Sequence, residues 1–156
     1  MIDPIDPADE RAIHAVLAEL ERAWNALDFV AIGNLWDRSS EPIYFAEEAP
    51  TPHLDWPSLQ AYWEFTARSI SRMGMRITDT PQLRPIGPDL VSAIYAMHWD
   101  AVISGDPQPL GGDNRVCATF RRTAEGWRFA QYVEAPLAPI TYVKWLYQRQ
   151  VTPGFA

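Results

Sequence analysis

Three strand-like runs between residues 90 and 136 constrain the fold of this chain more than any other feature. The runs read LVSAIYAMHWDAVIS, RVCATFRR and WRFAQYVEAP, and they are rich in β-branched and aromatic residues. The segments GDPQPLGGDN and TAEG separate them, and Gly, Pro, Asp and Asn in such positions are typical of turns. The pattern predicts an antiparallel meander, with turns at Gly111-Gly112 and Asp113-Asn114 and a hairpin at Gly126.

Helical periodicity is confined mainly to the first half of the chain. Asp6 and Pro7 are a typical N-cap and first helical residue, and apolar residues then recur at three- and four-residue steps to Leu27. This spacing predicts an amphipathic helix. Asp28 is predicted to cap a second, shorter helix, and Asp55 a third.

Two further strands complete the predicted order of elements. A short strand is expected over 43–46, and a single strand around 75–83, made irregular by Pro81. The order is then α-α-β-α-β-β-β-β, which predicts an α+β fold with its helices on one face of a sheet. We expect one domain over 1–156, in which 137–156 form a C-terminal extension that is either helical from about Ile140 or extended.

Composition and charge exclude several classes of protein. A net charge of −7 without a basic stripe argues against nucleic-acid and anionic-membrane partners. The start MIDPIDPADE lacks the features of a signal peptide, and no apolar run approaches the ~20 residues of a membrane span. The single Cys117 fits a reducing compartment. Together these features predict a cytoplasmic protein.

Three stretches of the sequence resemble the nuclear transport factor 2-like superfamily, especially its SnoaL-like and DUF4440-like small proteins. They are the opening helix with NALDFVAIGNLW, the segment PIYFAEEAP…DWPSLQAYWEF, and the closing RRTAEGWRFAQYVEAPLAP. The resemblance covers about residues 8–138. It departs from close relatives where Gln131 and Val133 stand near a position that often holds His, and in a longer tail after Pro139.

The resemblance implies a strongly bent, mainly antiparallel sheet that forms a cone with three helices from the N-terminal half. Its concave side would hold a pocket for a hydrophobic small molecule, and its convex face would make a homodimer. Enzymes of this superfamily are typically cofactor-free dehydratases, isomerases, cyclases, hydrolases or lyases that use general acid/base chemistry, while other members only bind a partner or assemble.

His98 and Asp100 are the first candidates for such chemistry. They lie at i and i+2 on a predicted strand and therefore on one face, where the carboxylate could orient the imidazole as an acid/base dyad. The alternation leaves open whether this face or the more apolar one lines a pocket. On the convex face, the same pair would be an ordinary exposed polar pair.

Tyr44 and Glu134 are the other candidate catalytic residues. A phenol facing the pocket could polarise a substrate oxygen, and a carboxyl group at an apolar mouth would have a raised pKa, as would Glu47 and Glu48. For each, the simpler alternative is a core tyrosine or a solvated strand end. The candidate substrate-binding residues are Trp24, Trp36, His53, Tyr62, Trp63, Tyr95, Trp99, Arg115 and Gln131.

Motifs for metal or cofactor binding are missing from the sequence. It has three His and one Cys without the short spacing of metal ligands, and no glycine-rich phosphate loop, so neither a metal nor a cofactor is predicted. Seven Trp residues favour an aromatic-walled pocket. We therefore expect a cofactor-independent lyase, dehydratase or isomerase for an aromatic or polyketide-like molecule, or alternatively a non-catalytic binding or dimerisation module.

Overall fold

The helices of the first half begin at the three predicted aspartates. The computed structural model describes residues 4–137 and 140–154, with side chains from 143 onward in the second range. The helices are α1 (Pro7–Asn25), α2 (Phe29–Asn34), α3 (Trp56–Ser69) and α4 (Ile140–Gln148). Asp6, Asp28 and Asp55 each accept a hydrogen bond from a backbone N–H of the first turn, at 2.7, 2.9 and 2.7 Å. All three predicted N-caps are confirmed.

A six-stranded sheet forms the other layer of the fold. Its strands are β1 (Ile43–Phe45), β2 (Ile70–Ile77), β3 (Gln82–Gly87), β4 (Leu90–Ile103), β5 (Leu110–Thr123) and β6 (Gly126–Pro136). They lie in the order β1-β6-β5-β4-β2, and β3 pairs with the remaining length of the same edge of β4. Among the described strands, only β1, which is parallel to β6, departs from antiparallel pairing. The sheet is therefore mainly antiparallel, curved and open.

The predicted single strand around 75–83 is two strands in the structure, so the predicted count of strands was one too low. β2 begins at Ile70, where the chain leaves α3 in an extended conformation. Asp79 and Pro81 lie in the connection between β2 and β3, and the Asp79 carboxylate accepts the Ala96 N–H at 2.8 Å. The two strands pair with different halves of β4, which therefore supplies partners for both.

The predicted turn at Gly111-Gly112 and Asp113-Asn114 lies inside β5, which is a correction to the sequence reading. Gly111 pairs with Asp100, and a Cβ atom at Gly111 would lie 2.6 Å from an Asp100 oxygen and 2.7 Å from the Trp99 carbonyl. Glycine is needed here for close approach between strands rather than for a turn. The hairpin at Gly126 is confirmed, and its φ of +102° requires glycine.

The helices bury the inner face of the sheet. Along β4, Val91, Ala93, Tyr95 and Met97 are buried, while the residues between them are more exposed. On the opposite layer, Ile13 and the other apolar positions of α1 are buried as the periodicity predicted. The predicted α+β fold, with its cone-shaped arrangement of three helices on a bent sheet, is confirmed.

The C-terminal extension forms a helix where the described chain resumes. Of the two conformations that the sequence left open, the structure has the helical one, α4. Trp145, Leu146 and Tyr147 of α4 are substantially exposed. Within the described ranges, no helix is both long and apolar enough to cross a membrane.

Candidate functional site

A cavity of about 240 Å³ lies between the inner face of the sheet and the helices. It is bounded by side chains from α1, α3 and five strands and by the loop that follows β1. The lining residues are Trp24, Tyr44, Glu47, Glu48, Tyr62, Thr66, Ile70, Met73, Met75, Met97, Trp99, Ala101, Ile103, Leu110, Tyr132 and Glu134. The cone is thus hollow, as the resemblance implied.

The walls of the cavity are mainly aromatic and thioether groups. Trp24 comes from α1 and Trp99 from β4, and both were predicted to bind substrate. Met73, Met75 and Met97 line the same space from neighbouring strands. Methionine side chains are flexible and polarisable, so this wall can adapt to ligands of different outline.

Three carboxyl groups lie at the cavity. The parallel pairing of β1 with β6 places Phe45 beside Val133, so the chain that leaves β1 runs past the end of β6. The Glu47 N–H donates a hydrogen bond to Glu134 Oε2 at 3.3 Å, and Glu48 follows at the exposed rim. The sheet therefore joins residues that are far apart in sequence into one acidic group.

Burial dominates the electrostatics of Glu134. It raises the pKa of the Glu134 carboxyl group to about 8. The hydrogen bond from the Glu47 N–H partly opposes this rise, and the nearby Glu48 and Glu47 carboxylates add to it. Burial also raises the pKa of Glu47, and its hydrogen bond from Asn114 opposes this rise. Glu134 therefore holds a proton at neutral pH and can both give and take one.

Tyrosine hydroxyl groups surround the carboxyl groups. Tyr62 donates to Glu48 Oε1 at 2.8 Å, and the Tyr44 and Tyr132 rings stack with centroids 5.4 Å apart and planes 9° apart. Burial raises the pKa of the Tyr44 hydroxyl and that of the Tyr132 hydroxyl well above the ordinary value of a tyrosine. These phenols stay protonated and can serve as hydrogen-bond donors to a substrate oxygen.

His98 and Asp100 lie on the other face of β4, outside the cavity, and this corrects their assignment as its acid/base pair. The dyad forms, with His98 Nε2 3.2 Å from Asp100 Oδ1, and His98 Nδ1 also lies 2.8 Å from Asp113 Oδ1. Arg76 is 3.8 Å from Asp100. Hydrogen bonds to Asp113 and Asp100 raise the pKa of His98. Because alternation along β4 directs Met97 and Trp99 inward, His98 and Asp100 cannot reach a ligand in the cavity.

Six predicted substrate-binding residues are also absent from the cavity lining, and His53 is one of them. Arg115 is exposed on the outer face, where it donates to the Pro136 carbonyl at 3.4 Å, and Gln131 alternates with the inward Tyr132. Trp36, Trp63 and Tyr95 are core residues, each no more than 4% exposed. Aromatic side chains serve packing as readily as binding, so the sequence could not separate these roles.

His53 supports the cavity wall instead of lining it. Its backbone pairs with that of Tyr44 in both directions, at 2.8 and 3.0 Å, and its ring packs on Tyr62 with centroids 4.9 Å apart. Of the predicted site residues, those that line the cavity are Tyr44, Glu134, Trp24, Tyr62 and Trp99. Their roles in binding or catalysis stay predictions.

Asn114 was missed as a site residue because its sequence context resembles a turn. It is 1% exposed, and its Nδ2 donates to Glu134 Oε2 at 3.4 Å while also bonding Glu47. Its Oδ1 has no hydrogen-bond partner among the described residues. Asn114 therefore links the two carboxyl groups whose pKa values are raised.

In the described ranges, no three His, Cys, Asp or Glu residues are arranged to hold a metal ion.

Comparisons with known proteins agree with this geometry. A model of the SnoaL-like domain matches residues 13–139. No curated protein matches the sequence.

Solved structures give the same fold at low sequence identity. A nuclear transport factor 2-like superfamily protein from Salmonella enterica superposes with a TM-score of 0.76 at 14% identity, over 85% of this chain and 93% of that one. A ketosteroid isomerase-like protein from Erwinia carotovora atroseptica gives 0.71 at 14%, over 86% and 100%. A candidate dehydratase of the NTF2-like family from Streptomyces avermitilis gives 0.71 at 14%, over 85% and 98%.

Proposed function

Because this chain belongs to the SnoaL-like domain family, we propose that it is a cofactor-independent acid/base enzyme, a lyase, dehydratase or isomerase. Its substrate would be a hydrophobic, aromatic or polyketide-like small molecule bound in the cavity. Two fold relatives bear names of proton-transfer enzymes, the ketosteroid isomerase-like protein and the candidate dehydratase. Those names describe the relatives, so the proposal depends on the chemistry of this chain's own cavity.

The observation that carries the proposal is the position of the Glu134 carboxyl group in the wall of a mainly apolar cavity, where it accepts hydrogen bonds from the Glu47 N–H and from Asn114. Burial at this position raises its pKa to about 8. A general acid or base works best when its pKa lies near the working pH, because both protonation states are then available. Burial has tuned an ordinary carboxyl group to this value. Perturbed carboxyl groups in clefts are typical of active sites.

The geometry suits reactions in which one proton leaves carbon and another reaches oxygen. In a dehydration, an ionised carboxylate would take the C–H proton, while a protonated Glu134 would give its proton to the departing hydroxyl group, which leaves as water. Glu47 is the candidate for the first role, since its N–H bonds Glu134 and Asn114 joins the two side chains. In an isomerisation, or in exchange of an α-proton with solvent, the ionised form of Glu134 would itself take the proton from carbon and return a proton to carbon.

Tyr44 and Tyr132 would act on the oxygen of the substrate. As buried phenols with raised pKa values, they donate hydrogen bonds without losing their protons. Such a donor aimed at a developing oxyanion lowers the barrier to removing a proton from the neighbouring carbon. A ketone or an enolisable hydroxyketone attached to an aromatic ring would use both the donor and the carboxylates.

Exchange of carbon-bound protons in D₂O tests the proposal without knowledge of the natural substrate. Aromatic ketones such as 2-tetralone would be incubated with the protein, and loss of the α-proton signal followed by NMR. We expect exchange to fall about 100-fold or more in Glu134→Gln. The exposed Glu125→Gln, in the β5–β6 turn, is the matched control. Binding of these ketones with equal exchange in both variants would instead support the non-catalytic alternative.

We also propose that the outer face of the sheet pairs two copies of the chain. Phe45, Val133, Cys117 and Ile94 stand opposite one another on four neighbouring strands, and they form an apolar row across this face. Ile94 is 52% exposed in the single chain. Burial of such a row against a second copy of the chain would remove its apolar area from water.

A cytoplasmic location stays a prediction from the sequence.

A further inference from the structure

The cavity is lined by acidic groups that have no positive partner among the described lining residues. Glu47, Glu48 and Glu134 belong to its lining, and none of the described lining residues is Lys, Arg or His. Elsewhere in the described chain, the buried carboxylate of Asp37, whose side chain is 2% exposed, has a positive partner in Arg121 at 2.6 Å. An ionised carboxylate without a partner is costly to bury, and Glu134 avoids that cost by holding a proton. A ligand that brings a positive charge would supply the partner that the described lining lacks, and would allow Glu134 to ionise.

Aromatic rings surround the same space. Those in the lining are Trp24, Tyr44, Tyr62, Trp99 and Tyr132. The negative faces of aromatic rings attract cations, and aromatic cages are a common way to hold ammonium groups. The sulfur atoms of Met73, Met75 and Met97 add polarisable surface. They carry no hydrogen-bond donor, so they do not repel a cation.

We propose that the cavity takes a ligand with a basic nitrogen, an aromatic amine in its ammonium form, with the cation between the carboxylates and the rings. This proposal rests on the proposed function, in which the cavity is the substrate site. It narrows the class of substrate to molecules that carry an ammonium group. An anionic substrate is disfavoured, because it would meet Glu47, Glu48 and Glu134 with no basic side chain among the described lining residues.

The size of the cavity limits the ligand further. An engineered apolar cavity of about 150 Å³ binds benzene in another protein. The cavity here, at about 240 Å³, has room for one ring and a short aminoalkyl group. Glu48, at the exposed rim and bonded by Tyr62, would attract the cation during entry.

Binding of a cation is linked to the proton on Glu134. Several groups face Glu134 from the packed elements, and none of them is basic: Glu47 and Glu48 from the loop after β1, Tyr44 from β1, Tyr62 from α3, Tyr95 from β4, Asn114 from β5 and Tyr132 from β6. A bound ammonium group favours the ionised carboxylate, so binding releases a proton. Affinity for a permanent cation therefore rises as the pH increases through about 8.

Three ligands of similar size test the charge preference by isothermal titration calorimetry at neutral pH: benzylamine, benzyl alcohol and benzoate. We expect benzylamine to bind about tenfold more tightly than benzyl alcohol, and benzoate to bind most weakly. Glu48→Gln should weaken benzylamine but leave benzyl alcohol unchanged, while Glu125→Gln should change neither. Benzyl alcohol binding as tightly as benzylamine, or no binding of benzylamine, would overturn the proposal.

A second titration uses benzyltrimethylammonium, whose charge does not change with pH. The wild-type affinity should increase between about pH 6.5 and 8.5, and Glu134→Gln should abolish this dependence. A wild-type affinity independent of pH would contradict the linkage. If the ketone exchange described above depends on Glu134 while amines show no preference, only the ligand class fails. If amines are preferred but no proton exchange occurs, the catalytic proposal fails.

Discussion

Replacing Glu134 by glutamine gives a prediction that needs no substrate. Glutamine has the shape of a protonated carboxyl group but does not titrate, so Glu134→Gln removes one proton-binding site and leaves the packing of the cavity wall in place. The wild type and the variant should therefore differ in how stability depends on pH. They should differ little in stability at low pH, where Glu134 is neutral in both the folded and the unfolded chain.

The magnitude follows from the pKa difference between the two states. Unfolding returns the pKa of Glu134 from about 8 to its ordinary 4.5, so the folded chain holds an extra proton between these pH values. The stability associated with this proton is fully present below pH 4.5 and is lost as the pH rises through about 8. The loss is at most about 1.4 kcal/mol per pH unit, or about 4 kcal/mol between pH 5 and 8.

Urea unfolding, measured at several pH values across this range, would reveal the difference. The free energy of unfolding of Glu134→Gln should be flatter with pH than that of the wild type, so the variant becomes the more stable protein near pH 8. Glu125→Gln, whose side chain is 83% exposed, should follow the wild type. Parallel curves for Glu134→Gln and the wild type would show that Glu134 titrates normally, and the reasoning about its burial would be refuted.

Three further predictions concern other parts of the molecule. His98→Ala and Asp100→Asn should leave Glu134-dependent proton exchange within about twofold of wild type, since both residues are outside the cavity; a loss of about 100-fold would restore the dyad. Tyr44→Phe should slow the same exchange by about 10- to 100-fold if its hydroxyl polarises the ketone, and an unchanged rate would exclude that role. Ile94→Lys should convert dimers into monomers in sedimentation velocity, and wild-type monomers at micromolar concentration would contradict the proposed interface.

Local signals in the sequence predicted much of the fold. A capping aspartate acts on the first turn of its own helix, so Asp6, Asp28 and Asp55 could be read from a few neighbouring residues. The division into β2 and β3 was missed because it depends on pairing with β4, which lies later in the chain. Strand boundaries set by distant partners leave little trace in the local sequence.

The acidic site is less predictable than the fold, because it depends on long-range pairing. Glu47 and Glu134 meet only because β1 adds to β6 in parallel, which brings together residues that are 87 positions apart in the sequence. Asn114 follows two glycines and an aspartate, which favours a turn, yet it lies within β5 with its side chain buried. Alternation gave the composition of both faces of β4, but only the curvature of the sheet decides which face is enclosed.

Of the predicted acid/base residues, the structure places His98 outside this cavity and Glu134 in its lining. His98, on the outer face, is bonded to Asp113 and Asp100, which raise its pKa and stabilise its charged form. Glu134 instead acquires a pKa of about 8 from burial and from neighbouring carboxylates. Burial without a basic partner in the described lining therefore has two consequences. It raises the pKa of the Glu134 carboxyl group, on which the proposed proton transfer depends, and it favours the proposed binding of a cation. If a cation binds, Glu134 should lose its proton and act as a base.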